Sequence, residues 1–276
     1  MTGRFLFGQV LPVLAVLGQL LPGWDAPAFA QSTAQSTAPA AAQPLTECDV
    51  PNRHTEIDFP LPQVIKAIAA KKLSVLVLGA GSSQLPGAGG AKNAYPARLQ
   101  KALADKLPGI EVTVATDVKS TRTAVEMLKS MRQSLSDAKP ALMVWQTATV
   151  DAMQLVDGDQ FGQALAKGIK IAKSAGADVV FMNPQYSPRT ESMIALANYV
   201  EIQRWVALQH EVPLFDRFNL MKAWADLGTF DLYSATKKLD MAARVHDCLG
   251  RLLADLVLES SKAHSPETGN GNGPGK

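Results

Sequence analysis

The chain has 276 residues, 27 basic and 25 acidic side chains and a formal net charge of +2. Nearly half its residues (47%) are hydrophobic, which suits a globular core. It has no basic stripe and no interleaved aromatic residues, so nucleic acid is excluded as a partner.

Arg4 precedes an apolar run from Phe5 to Leu21, and Ala28-Phe29-Ala30 offers a small-residue cleavage site. That order predicts a secretory signal peptide over residues 1–30, cut after Ala30. The competing reading is an uncleaved anchor, but the run is short for a span and is interrupted by Gly8, Gln9, Pro12 and Gln19. Residues 31–47 carry a repeated Gln-Ser-Thr-Ala and read as a flexible linker. Residues 263–276, rich in Gly and Asn, read as a disordered tail. The mature protein is therefore expected to be periplasmic or secreted, with no transmembrane segment after signal cleavage. Residues 48–262 remain, about 215 residues in one domain, enough for a full core.

The two cysteines, Cys48 and Cys248, bracket that domain. In an exported protein they most simply pair as a disulfide; the alternative is two buried free thiols. Neither is surrounded by His or Cys at ligand spacing, and no metal or cofactor is expected.

Within the domain, short apolar runs alternate with helical patterns. Strands are predicted over 74–78, 111–115, 142–145, 178–182 and 212–215, and helices over 95–106, 121–136, 160–175, 191–210, 217–227 and about 236–260. Strands that are apolar throughout belong to a sheet covered on both faces. The alternation predicts an α/β fold: a three-layer α/β/α sandwich around a five-stranded parallel sheet. Sites in such folds lie beyond the C-terminal strand ends. That directs attention to residues 79–90, 116–121, 146–151 and 183–190, and to the loop before the last helix.

The loop after the first strand, Gly79-Ala-Gly-Ser-Ser-Gln-Leu-Pro-Gly87, starts like a dinucleotide fingerprint. Gln84 stands where the third Gly belongs, and no acid closes the next strand in the expected place. No Gly-Lys-Ser/Thr occurs in the loop, so a phosphate-binding P-loop fails as well.

A different pattern fits more of the chain. Val-Leu-Gly-Ala-Gly-Ser-Ser precedes Ala94-Tyr-Pro-Ala-Arg-Leu99; then come Val144-Trp-Gln-Thr-Ala-Thr-Val-Asp151, Asn183-Pro-Gln-Tyr-Ser-Pro-Arg189 and Leu239-Asp-Met-Ala with Cys248-Leu249. From about Leu73 to Leu258 the chain resembles the SGNH/GDSL hydrolases, a flavodoxin-like family of esterases and lipases, in a bacterial exported branch. That branch typically reads Trp-Gln-Thr-Gly-Thr-Asn-Asp where this chain has 145–151. The resemblance implies a Ser nucleophile in a Gly-Asp-Ser-like turn. It also implies an oxyanion hole of two backbone N–H groups and an Asn side chain, and an Asp-x-x-His base before the last helix. Such donors act by being aimed at the charge that develops in the transition state.

Carried over residue by residue, the resemblance places the nucleophile at Gly81 and the oxyanion Gly near Thr121. The oxyanion Asn falls at Val150, and the Asp-x-x-His positions fall at Lys237 and Asp240. Gly81 has no nucleophile, Val150 cannot donate, and Asp240 as an ordinary carboxylate is a weak base for a hydroxyl. Replacement of every chemical position inside matching flanks predicts a non-catalytic pseudoenzyme. Its expected role is binding or accessory, in the cell envelope, with an envelope glycan, an acyl ligand or an active relative as partner.

The alternative is an active esterase or acyl hydrolase with a rebuilt site using Ser82 or Ser83, with His246 or Asp240 as base. Against it, serines in a tight turn usually bond backbone or cap the next segment. His246, six residues beyond Asp240, reads as a surface or packing residue inside the final helix. His54, His210 and His264 have no ligand partner at useful spacing. Candidate ligand-binding residues are Ser82, Gln146, Asp151, Tyr186 and Arg189. Trp145 and Tyr186 equally suit the core, and Asp151 suits a structural role bonding loop backbone.

Overall fold

In a computed structural model the described residues are 47–49, 59–233 and 239–262. The expected signal peptide, most of the expected linker, the expected tail and Lys237 lie outside them. Five strands run in chain order: β1 (Lys72–Gly79), β2 (Glu111–Val118), β3 (Leu142–Gln146), β4 (Asp178–Met182) and β5 (Leu214–Phe215). All neighbouring pairs are parallel and the spatial order is β2-β1-β3-β4-β5. This is the flavodoxin-like order, with its switch point between β1 and β3.

β3 and β4 are buried at every residue, in keeping with their mostly apolar content; only Gln146 and Asp178 are polar. β2 is an edge strand, and it outruns the expected 111–115 by three residues. Thr116, Asp117 and Val118 extend it because each faces a β1 residue, up to Gly79 opposite Val118. β5 is shorter than expected, ending as a two-residue pairing with β4.

The helices are α1 (Pro62–Ala69), α2 (Gly90–Asn93), α3 (Tyr95–Lys106), α4 (Ala124–Ala138), α5 (Thr149–Met153), α6 (Gly158–Ser174), α7 (Pro188–Met193), α8 (Leu196–Gln209), α9 (Arg217–Asp226) and α10 (Asp240–Lys262). Helices α3 and α10 pack together in one layer, and α4, α6 and α8 form a row in the other. The expected helix over 191–210 is two helices, because Ile194 is extended (φ −137°, ψ 129°) between α7 and α8. Thr123 and Glu126 close a capping box at the start of α4, and Asp157 caps α6.

No side chain at Leu61 caps α1. Asp178, at the start of β4, does so from across the fold: its Oδ2 accepts from the N–H groups of Gln63 (2.7 Å) and Val64 (3.0 Å). Burial raises the Asp178 carboxyl above its ordinary pKa, and those two N–H bonds oppose the rise.

Cys48 and Cys248 are bonded, with Cα atoms 5.2 Å apart. The short described piece at 47–49 is thereby held to α10. Trp224 Nε1 donates to Cys48 O (3.3 Å), and Arg244 pairs with Glu47. Farther along α10, Gly250 allows its close seat on α3. A Cβ there would lie 2.5 Å from the Cβ of Arg98 and 2.8 Å from the backbone N of Leu99.

Candidate functional site

A cleft of about 430 Å³ opens beyond the C-terminal ends of β1 and β3. Ala80, Gly81 and Ser82 form one wall, and Thr149 and Val150 at the head of α5 form another. Val245, His246 and Leu249 of α10 close it. Two other hollows, of about 360 and 470 Å³, lie at the N-terminal ends of the strands, around Asp178 and Pro213 and around Pro140 and Gly176. They sit at the end of the sheet opposite the switch point, away from the loops that carry sites in such folds.

After β1 the chain makes a single 3-10 turn, Gly81–Ser83. Its hydroxyls do not bond backbone as expected. Ser83 is buried, and its Oγ donates to Gln146 Oε1 (2.9 Å). That leaves Ser83 Oγ as the acceptor in its 2.9 Å bond with Tyr95, so the Tyr95 O–H is the donor. Gln146 Oε1 also accepts from Ala80 N (3.0 Å), which fixes the turn to the end of β3. The close approach needs Gly79, since a Cβ there would come 2.4 Å from Ser83 Oγ. Burial pushes the Tyr95 phenol up to about 12, and Ser83 only partly offsets it. Tyr95 therefore stays a neutral donor and Ser83 is spent on structure.

Ser82 faces the cleft, and a residue missed in the sequence stands behind it. Arg217, the first residue of α9, is fully buried. Its Nη2 donates to Ser82 Oγ (3.2 Å), its Nη1 to Ser82 O (3.4 Å) and its Nε to Asn183 O (3.1 Å). Among the described residues no carboxylate pairs with it. Burial pulls its pKa down to about 10, so it remains a cation at neutral pH. Arg217 thus staples the β1 turn to the end of β4. Nothing in the sequence marks it, because an arginine opening a helix after a polar residue is usually solvated.

Of the surface and packing roles expected for it, His246 takes packing, with a place on the cleft besides. It is buried, its ring lies 5.9 Å from the Tyr95 ring, and it lines the cleft. Its Nδ1 accepts from the backbone N–H of Tyr95 (2.9 Å). Burial first, and the charge of Arg217 second, lower its pKa to about 4. At neutral pH the ring is uncharged, with its lone pair on Nδ1 and its proton on Nε2. Asp240 is exposed and lines nothing in the cleft. Counted back from His246 at the spacing of an Asp-x-x-His motif, the acid position holds Ala243.

The remaining candidates separate. Asp151 is buried, and its carboxylate accepts from Ala124 N (2.8 Å), Thr147 Oγ1 (3.0 Å) and Ala148 N (3.1 Å). It ties the loop after β3 to the head of α4; burial raises its pKa and the bonds oppose that. Gln146, Trp145 and Tyr186 are core residues, Tyr186 packed edge-on against Phe218. Arg189 is exposed on α7, and Thr121 is exposed after β2. Val150 lines the cleft with an apolar side chain. A Cβ added at Gly81 would meet Ser120 at 3.5 Å, ordinary contact, so the turn has room for the side chain it lacks. Among the described residues no group of three His, Cys, Asp or Glu could hold a metal ion, and no helix is long and apolar enough to cross a membrane.

The sheet order and a cleft at its switch point define a flavodoxin-like α/β/α protein. Solved structures agree on the fold. A variant of Axe2, an acetyl xylan esterase from Geobacillus stearothermophilus, is 16% identical, with a TM-score of 0.55 over 68% of this chain and 96% of that one. The lipase/acylhydrolase from Enterococcus faecalis is 18% identical, with a TM-score of 0.51 over 69% and 96%. TesA is 23% identical, with a TM-score of 0.50 over 68% and 98%. No curated protein sequence matches this chain. The model of the Non-GDSL lipase-like family matches residues 47–263, and the chain belongs to that family.

Proposed function

We propose that this protein is a non-catalytic binding or accessory member of its hydrolase-like family, exported to the cell envelope. The polarity of His246 carries the reading. A general base must offer a lone pair to the serine it activates. The lone pair of His246 is engaged by the Tyr95 N–H, and its free nitrogen carries a proton. Ser82 brings the turn's hydroxyl to the cleft, and Arg217, its partner, can only donate. The nucleophile position of the family turn is Gly81, and no acid stands three residues before His246. Export rests on the sequence of residues 1–30 and fits a disulfide-bonded domain.

That Ser82 and His246 share one cleft favours the second reading, a rebuilt hydrolase. Exposure of the purified mature chain to a fluorophosphonate probe and to short-chain p-nitrophenyl esters separates the two. The binding reading expects no stoichiometric labelling and no turnover above buffer. Labelling of Ser82, with turnover lost in Ser82→Ala, would establish the hydrolase instead.

A further inference from the structure

Where Ser82 and His246 line the cleft, their hydrogens are free and their lone pairs are engaged. Arg217 donates to Ser82 Oγ, so the Ser82 proton has to point elsewhere, and no other partner takes it among the described residues. Nδ1 of His246, which lines the cleft, is filled by Tyr95, and Nε2 has no partner among the described residues. Thr149 also lines the cleft, but its hydroxyl oxygen is buried away from it, with no partner among the described residues. Behind Ser82 the Arg217 cation is buried with no counter-charge among the described residues. A cation removed from water without a partner is costly, and a site with such a cation favours an anion nearby. No Asp or Glu lines the cleft to supply one. Much of the lining is apolar, from Leu85, Val150, Met153, Met221, Val245 and Leu249, and its volume lies within the range of small-molecule sites.

We infer that the cleft binds an organic carboxylate carried on an aliphatic body, its oxygens accepting from Ser82 O–H and His246 Nε2–H in front of Arg217. The inference rests on the non-catalytic reading of this same site and adds the ligand class. It is an acid, and the neutral ester that a hydrolase would take is disfavoured, because an ester offers a weaker acceptor and no charge.

The test uses the mature chain at pH 7 with sodium decanoate, methyl decanoate and inorganic phosphate as probes. Binding is followed by calorimetry and by the ring signals of His246 in NMR spectra. Decanoate is expected to bind at least about tenfold more tightly than methyl decanoate and to shift the His246 signals; phosphate, lacking the apolar body, is expected not to compete. Ser82→Ala, which removes one donor and leaves the Arg217 bonds to Ser82 O and Asn183 O in place, is expected to weaken decanoate about fivefold or more. Equal affinity for acid and ester, no decanoate binding, or displacement of decanoate by phosphate at equal concentration overturns the inference. Those results leave the non-catalytic reading standing. Conversion of methyl decanoate to decanoate overturns the non-catalytic reading itself, and with it the ligand assignment built on it.

Discussion

Lowering the pH from 7 to 4 protonates histidine in the unfolded chain well before it protonates His246 in the folded one. The folded pKa is about 4 against an ordinary 6.5. Because the folded value is depressed, the stability linked to this group is complete above pH 6.5, falls as the pH drops and is gone below about pH 4. A gap of that size corresponds to about 3 kcal/mol, lost at up to about 1.4 kcal/mol per pH unit. The structural cause is specific. Imidazolium carries hydrogen on both nitrogens, so Nδ1–H would face the Tyr95 N–H in a buried site close to Arg217. The assay is urea unfolding of wild type and His246→Gln, which cannot titrate, at intervals from pH 7 to pH 4. Carboxylates that titrate in both proteins cancel in the difference, which is expected to shift by about 3 kcal/mol in favour of the variant on going to pH 4. An NMR titration of the His246 ring gives the same answer without a mutation. Parallel stability curves, or a His246 midpoint at pH 6 or above, would refute the reasoning about Nδ1.

Three further outcomes rest on particular contacts. Gly81→Ser is expected to change stability by less than about 1 kcal/mol, since its Cβ meets Ser120 at 3.5 Å, and to remain unlabelled by fluorophosphonate because His246 offers no lone pair. Gly250→Ala is expected to lose about 2–3 kcal/mol in denaturant unfolding, because its Cβ would overlap Arg98 and Leu99 on α3. Replacing both Cys48 and Cys248 by Ser is expected to lower stability by about 2–5 kcal/mol, and reduction of the wild type by dithiothreitol should give the same loss; the separation of 200 residues closes a long loop.

The strands were legible where burial on both faces writes an unbroken apolar run, as in Leu142 to Trp145 and Val179 to Met182. β2 was not legible to its end. Thr116 and Asp117 are strand residues only because β1 lies alongside, and the sequence of an edge strand does not record its neighbour. The break at Ile194 was hidden because both flanking segments have acceptable helical composition. For the site, the resemblance drew attention to the β1 turn and to the head of α5, and both line the cleft. It did not indicate Arg217 or the state of His246. Tyr95 and His246 are 151 positions apart, and the hydrogen bond that sets the tautomer exists only once α3 and α10 are packed together. A buried arginine likewise has no signature of its own, since its partners Ser82 and Asn183 arrive from the loops after β1 and β4.

On α10, His246, Cys248 and Gly250 follow one another at intervals of two. Successive helical residues turn by about 100°, so Gly250 falls about 40° from His246 while Cys248 points the opposite way. One flank of the helix is therefore seated without clearance on α3, and the other is fastened covalently to the start of the domain. Like a keyed shaft, α10 can neither roll nor slide to accommodate a guest. On that side, a ligand of the proposed site would meet a wall already in place, and little ordering entropy would be spent there.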